Sequence, residues 1–280
     1  MKTPISYYGC KQTLAKVIIR LMPEHRLYCE PFAGGAAVFF AKEPSKVEII
    51  NDTNGELINF YQVAKGDFPA LEKEAALSLH SRRQHQHAWV IYQNPDMFDP
   101  VKRAWALWML ANTSYGCKIT GSFGYDRTGG TAKKMDNKRA GFAPEYAERL
   151  KRVQIECCDA LRIIKSRDAP DGFFYLDPPY VGADQGHYDG YAQEDFDGLL
   201  ETLAALKGKF LLSSYRNKNL AEFTERNGWH TLECRMFCSM TNRYQAKNKI
   251  EVLTANYPLS QDIVKQAAEE SRPVVPDREA

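Results

Sequence analysis

The run Gly172-Phe173-Phe174-Tyr175-Leu176-Asp177-Pro178-Pro179-Tyr180 joins an apolar strand to a carboxylate and a rigid Pro-Pro-aromatic turn. Its parts suit an exocyclic amine on a flat ring. The Asp177 carboxylate can accept one N–H of the amine, and the Pro178 carbonyl, on a backbone restricted by two prolines, can accept the other. The Tyr180 ring offers a face for the base, worth about 1 to 3 kcal/mol per stacked base. An amine held by both hydrogens pyramidalises and turns its lone pair toward an electrophile. The plainer reading is a strand that ends in an ordinary Pro-Pro turn, so the motif has to be weighed with its neighbours.

A second run, Tyr28-Cys29-Glu30-Pro31-Phe32-Ala33-Gly34-Gly35-Ala36, carries a strand into a glycine turn. Glycines there let a ligand approach the backbone, and the helix that follows offers its N-terminus. The pattern is not G-x-G-x-x-G, which disfavours a nicotinamide oxidoreductase and suits a nucleoside-bearing cofactor without a pyrophosphate. Asp52 follows Gly34 by 18 residues, at the end of the next strand. That is near the spacing of an acid that grips ribose hydroxyls, although a helix N-cap before Glu56 competes for the same residue.

These residues need elements to hold them. Strand patterns at 26–30 and 46–51 flank the glycine turn and its short helix, and further strands are expected at 153–157, 172–176, 209–213, 229–236 and 249–256. Leu14, Val17, Ile18 and Leu21 form a helical stripe, a helix is expected over Glu56 to Ala64, and Phe196, Leu199, Leu200, Leu203 and Leu206 mark another apolar helix face. The order strand, helix, strand predicts a parallel α/β sheet. Between about Gly66 and Lys151 this rhythm stops. An amphipathic helix near Val101 to Asn112, with Trp105 and Trp108 as core, precedes a loop rich in Gly, Thr, Lys and Tyr from Ser114 to Gly141. An inserted, mainly helical subdomain is therefore expected, and the polar residues from about Ser260 should fray.

The net charge of +2 over 280 residues hides an uneven distribution. Lys102 to Arg152 holds eleven Lys and Arg against four acids, a local +7, so the remainder carries −5. Arg235 to Lys249 is a second basic stretch. Single charge runs are usually solvated faces, but two of them on an otherwise acidic chain predict a polyanion-binding surface. Lys118, Arg127, Lys133, Lys134, Lys138 and Arg139, interleaved with Tyr115, Phe123 and Tyr125, are the candidates for gripping phosphates, with Arg243, Lys247 and Lys249 in a second loop.

The longest apolar run, Ala104 to Ala111, is far short of the ~18 residues that span a bilayer. The N-terminus lacks the apolar stretch of a signal peptide, so the chain is expected in the cytoplasm. Its seven cysteines, with no C-x-x-C pair, predict reduced and mostly buried thiols. His85 and His87 read as a solvated helix face, and no metal is expected.

Taken in order, Tyr7-Tyr8-Gly9-Cys10-Lys11, Glu30-Pro31-Phe32-Ala33-Gly34-Gly35, Asn51-Asp52, Cys158-Asp159-Ala160 and Asp177-Pro178-Pro179-Tyr180 resemble the motifs of the Dam-type N6-adenine DNA methyltransferases, alpha group. The resemblance covers roughly residues 5 to 257 and is poorest in the middle. It implies a Rossmann-like methyltransferase fold that binds S-adenosyl-L-methionine and methylates N6 of an adenine flipped from double-stranded DNA. The domains would be 1–65 with 152–258 for catalysis, 66–151 for target recognition and 259–280 as a flexible tail, in a protein that works as a monomer. Tyr7, Lys11, Glu30, Phe32, Gly34, Gly35, Asp52, Asp159 and Asp177 would hold the cofactor, and Asp177 to Tyr180 the target base.

Two positions depart from the family pattern. Cys10 stands where a second glycine is usual, so its backbone must tolerate a Cβ or the loop must differ. The middle segment also lacks the Phe-Asn-Val-Pro pattern of GATC-methylating members, so GATC is not implied. Methylation of cytosine N4 or of RNA, or a non-catalytic DNA-binding relative, are the alternatives. An aromatic amine is too weak an acid for a carboxylate base of pKa near 4, so direct attack on the methyl with later proton loss is the expected path.

Overall fold

Leu27–Glu30 (β1) and Gly172–Leu176 (β4) are buried along their whole length, as central strands of a parallel sheet must be. The structure is a computed structural model describing residues 1–182, 190–236 and 249–263, with 235, 236 and 249 described by backbone alone. β1 lies between β4 and β2 (Val47–Asn51), parallel to both. β3 (Gln154–Glu156) flanks β2, and β5 (Lys209–Ser214) flanks β4, again parallel. β7 (Lys249–Ala255) runs antiparallel between β5 and β6 (His230–Met236). The order across the sheet is β3-β2-β1-β4-β5-β7-β6, and each strand lies within one residue of its expected limits. The chain winds outward from β1 to β3 and returns on the other side of β1 with β4. That reversal opens a crevice beyond the carboxyl ends of β1 and β4, where open α/β sheets bind ligands.

Side chains alternate between the two faces of the sheet. Tyr28, Phe173, Tyr175 and Leu211 enter one apolar cluster, whereas Leu27, Cys29, Phe174, Leu176 and Leu212 enter another. The first cluster is covered by α1 (Ala15–Leu21), α2 (Ala37–Ala41), α3 (Gly55–Gly66), α4 (Phe68–Ala76), α5 (Arg82–Gln93), α6 (Pro100–Thr113), α7 (Gly130–Ala140) and α8 (Glu145–Leu150). The second is covered by α9 (Ala160–Arg167), α10 (Gln193–Ala204) and α11 (Lys218–Asn227). The α4 to α8 helices of the middle segment thus share their core with α1 to α3.

α6 is buried on every side from Ala104 to Thr113, including both tryptophans, as a helix apolar all round must be. It runs directly into a short hairpin. The Tyr115 amide donates to Ser122 O at 2.7 Å, the Gly124 amide donates to Thr113 O at 2.7 Å, and Ser114 pairs with Phe123. α8 is pinned to the sheet by Arg149, which donates to both oxygens of the buried Glu48 on β2 and to Phe39 O. Lys42 donates to the same carboxylate. Among the described residues no helix is long and apolar enough to cross a membrane.

Three expectations change. The stretch from Ser114 to Gly141 is not all loop, because α7 occupies 130–140. Its polar composition conceals it, since only Met135 is buried. The Asp126 carboxylate fixes its start, accepting the amides of Thr128, Gly130 and Thr131 at 2.7, 3.1 and 2.5 Å. These bonds hold Asp126 below the usual carboxylate range. His85 is buried rather than solvated, bonded to Ser114 Oγ at 3.0 Å. Of the six described free cysteines only Cys29 and Cys234 are buried, so the thiols are not mostly buried, and Cys157 is exposed. Residues 264–280, most of the expected tail, lie outside the described residues.

Candidate active site

The edge of β4 delivers Asp177 into a cluster of charge. Lys11 Nζ, from the N-terminal segment, donates to Asp177 Oδ1 at 2.7 Å, Asp177 Oδ2 at 2.9 Å and Gly9 O at 3.0 Å. It also lies 3.7 Å from Glu251 Oε1 on β7 and 4.9 Å from the centre of the Tyr180 ring. Tyr180 reaches back to the same place, its hydroxyl 3.0 Å from Asp177 Oδ1 and hydrogen-bonded to Glu251 Oε1. Its ring meets Tyr215 edge-on at 4.4 Å between centroids. Pro178 is buried and Pro179 half-buried, which ties the turn to the sheet. Burial alone would lower the Lys11 pKa, but the Asp177 and Glu251 carboxylates outweigh it and raise it. Burial pushes Glu251 up to about 6 against the pull of Lys11.

Across the crevice, the glycine turn after β1 is gripped through its backbone. The Gly34 amide donates to Asp52 Oδ2 at 2.9 Å, and the Gly34 carbonyl accepts from Tyr61 at 2.6 Å. Thr3 Oγ1 donates to Gly35 O at 2.5 Å. Gly34 has φ +47°, and the Tyr7 side chain lies over both glycines. A Cβ at Gly35 would sit 3.0 Å from Tyr7 Cβ and 3.3 Å from Cys10 Sγ, which is why both positions need glycine. Ala36 carries a left-handed φ of +49° where α2 begins, a strain of order 1 kcal/mol that the surrounding bonds must hold. Glu30, at the tip of β1, is buried and accepts from Tyr28, and burial pushes it up to about 7.

The structure therefore brings Lys11, Asp177 and Tyr180 into one cluster and Tyr7, Gly34, Gly35 and Asp52 into another. Asp52 is not the N-cap of α3. Asn54 fills that role, accepting the amides of Glu56 and Leu57, while the second Asp52 oxygen accepts the Asn54 amide at 2.9 Å. Phe32 lies edge-on to Tyr191 at 6.4 Å, and Asp159 is an exposed N-cap of α9. The Cys10 question resolves simply, because Gly9 takes the left-handed conformation (φ +75°) and Cys10 does not.

The basic candidates divide. Arg127, Lys133 and Lys134 are exposed, and Lys118 lies 5.1 Å over the Tyr8 ring. Lys138 donates to Thr3 O at 3.1 Å, and burial with the nearby Lys134 lowers its pKa to about 8. Arg139 donates to Ser78 O at 3.0 Å and to Asp136 at 2.8 Å. Both tie α7 to the rest of the first face. Tyr115 and Tyr125 are exposed, whereas Phe123 is buried against His80 and lies under Arg82. Arg243 and Lys247 lie outside the described residues.

Sequence reasoning missed Glu251, and quoted Asn51 within a motif without giving it a role. Asn51 Nδ2 donates to Pro31 O and Cys158 O, both at 2.9 Å, and its Oδ1 accepts the Cys158 amide, so it ties together three strand ends. The signal for Glu251 was present, since it is an acid in the middle of the apolar strand pattern Ile250 to Ala255.

Comparison with known proteins places the chain in a family. Residues 7–264 match the family model for D12 class N6 adenine-specific DNA methyltransferases. The chain is 29% identical over 275 residues to the type II methyltransferase M1.LlaDCHI of Lactococcus lactis subsp. cremoris, covering 89% of this chain and 93% of that one. It is 25% identical to the retron Ec67 DNA adenine methylase of Escherichia coli, over 82% of each chain. It is 27% identical to a DNA adenine methylase of Vibrio cholerae, over 72% of this chain and 73% of that one. With a sheet that reverses direction at β1 and β4, and with Asp-Pro-Pro-Tyr at that reversal, the chain belongs to the D12 class N6 adenine-specific DNA methyltransferase family.

Proposed function

We propose that the chain transfers a methyl group from S-adenosyl-L-methionine to N6 of an adenine turned out of double-stranded DNA, acting as a monomer in the cytoplasm. One observation carries this reading. Asp177, held by Lys11, stands at the end of β4 beside the β1 strand whose glycine turn is stripped of side chains and gripped by Asp52. The donor set suits such a cofactor. Asp52 accepts a backbone amide on each oxygen, and a carboxylate is the acceptor that binds the two hydroxyls of a diol. Gly34 stays half-buried, and the buried Tyr7 ring closes one side of the turn.

In this reading Asp52 holds the ribose hydroxyls, Tyr7 and Asp159 flank the adenosyl group, and Glu30 and Phe32 to Gly35 line the methionine portion. The bound donor supplies an electrophilic methyl carbon on a sulfonium. Asp177 and the Pro178 carbonyl accept the two N–H groups of the target amine, and Tyr180 stacks on its ring. Fixing the amine lone pair toward the methyl supplies proximity and orientation. Asp177 acts as a polarising acceptor, stabilising the positive charge that grows on nitrogen. Residues 66–151 grip the DNA, with Lys118, Arg127, Lys133 and Lys134 as phosphate contacts. Turning the base out of the stack costs a few kcal/mol of unstacking, offset by those contacts.

The test is to incubate the protein with labelled S-adenosyl-L-methionine and duplex DNA, digest the DNA and identify the modified nucleoside. Label in N6-methyl-2′-deoxyadenosine that disappears with Asp177→Ala is expected. Unlabelled DNA, label on another base, or equal label with the variant would sink the reading.

A further inference from the structure

Lys11, Asp177, Tyr180 and Glu251 contain more acceptors than hydrogens. An ammonium has three hydrogens, and among the described residues the polar atoms within hydrogen-bond distance of Lys11 Nζ are the two Asp177 oxygens and Gly9 O. Glu251 Oε1, at 3.7 Å, is a neighbour of that charge and not a hydrogen-bond partner. The Tyr180 hydroxyl has one hydrogen and faces two carboxylate oxygens, Asp177 Oδ1 and Glu251 Oε1. With both carboxylates ionised, one of those contacts lacks a hydrogen. With one more proton, Glu251 donates to Tyr180 and Tyr180 donates to Asp177, and both of these contacts are filled.

We propose that Glu251 is a positioning residue for the methyl transfer and the resting place of the proton that the target amine gives up. The inference rests on the reading of Asp177 as the acceptor of that amine. The amine lone pair forms the new N–C bond as the methyl carbon parts from sulfur, which keeps the bonding pair. An N–H bond of the methylated amine then breaks and its proton goes to Asp177. Asp177 passes a proton to the Tyr180 oxygen while the hydroxyl's own hydrogen passes to Glu251 Oε1. Water takes it before the next turnover.

Glu251 also sets the charge of the cluster. With Glu251 ionised, Lys11, Asp177 and Glu251 sum to −1, and with Glu251 protonated they sum to zero. The negative state favours the positive charge growing on the amine nitrogen. Among the described residues, the groups that face Glu251 are Lys11 from the N-terminal segment, Asp177 and Tyr180 after β4, Tyr175 within β4, and Cys234 opposite it on β6. Burial holds Glu251 at about 6, so transfer should speed up as pH rises through that value.

The experiment is single-turnover transfer from labelled S-adenosyl-L-methionine to duplex DNA between about pH 5 and 9, with cofactor affinity measured by calorimetry. Wild type should rise about tenfold per pH unit below pH 6 and level off above it. Glu251→Gln keeps the size and hydrogen-bonding capacity but holds no proton. It should lose the acid limb and run about 10²-fold slower at pH 8 with unchanged cofactor affinity. Tyr180→Phe keeps the Glu251 charge and should keep the single-turnover limb, but with the relay cut its multiple-turnover rate should fall about tenfold below its single-turnover rate, and Glu251→Asp should regain the limb. Tyr180→Phe also reads the relay independently of whether Glu251→Gln folds. A wild-type acid limb or rate in Glu251→Gln would overturn the charge role, and equal single- and multiple-turnover rates in Tyr180→Phe would overturn the relay, either one leaving the assigned reaction standing. A wild type that labels no DNA would overturn the reading beneath it.

Discussion

The two walls of the crevice are held in different ways. On the β1 side, side chains grip main chain: Asp52, Tyr61 and Thr3 bond the amide and carbonyls of Gly34 and Gly35. On the β4 side, side chains grip one another, and Asp177, Lys11, Tyr180 and Glu251 are fixed by charge and shared hydrogens. The first wall should therefore respond to changes in volume and backbone conformation, and the second to changes in charge and pH.

The largest effect should come from removing the acceptor that faces the amine. Asp177→Ala should lower the transfer rate about 10³-fold in single-turnover assays while cofactor affinity stays within a few-fold. Lys11→Met should act on stability instead. It leaves two largely buried carboxylates without their cation, a loss of about 3 kcal/mol that a thermal melt would read and that lowering the pH should partly restore.

Glu30, at the tip of β1, is where the two walls meet, since it senses the Asp177 charge. Its folded pKa of about 7 lies above the ordinary 4.5. The folded protein therefore holds this proton more tightly than the unfolded chain. The contribution to stability is full below pH 4.5 and is lost as pH rises through about 7. The loss amounts to about 3 kcal/mol at most. Glu30→Gln should flatten that part of the melting-temperature profile; an unchanged profile would assign the slope to other groups. Gly34→Ala should be the mildest change. A φ of +47° and a Cβ 3.3 Å from the Tyr7 ring cost about 1 kcal/mol and weaken cofactor binding several-fold, equally at every pH. A pH-dependent loss there would erase the distinction between the walls.

Much of this arrangement is legible from residues alone because it is local. The central strands β1, β4 and β5 are short, mostly apolar runs, and the Gly34-Gly35 and Asp177-Pro178-Pro179-Tyr180 turns lie within a few residues of the strands that present them. What escaped is long-range. Glu251 joins Asp177 only because β7 turns antiparallel and slips between β5 and β6. The Asn51 bonds to Pro31 and Cys158 exist only once β1, β2 and β3 lie side by side. α7 was hidden because it buries a single side chain, so periodicity had nothing to report. Lys138 and Arg139 look like free surface charge in a list of residues, yet in the fold they donate to Thr3 and Ser78 carbonyls.

The hairpin after α6 has a consequence for inheritance. Its stem is closed by main-chain bonds between 113–115 and 122–124, and it stems from a helix packed on all sides. Neither support depends on the side chain of Tyr115, which is exposed on that stem. Within the loop Ile119 is buried and Gly121 has no room for a Cβ, so those positions are fixed, whereas the exposed Tyr115 and Tyr125 can change with little penalty to folding, and the proposed methyl-transfer cluster lies on other elements. On the proposed reading, a lineage can revise which DNA word it marks one substitution at a time while keeping its chemistry, as a type-setter changes the letter and keeps the press.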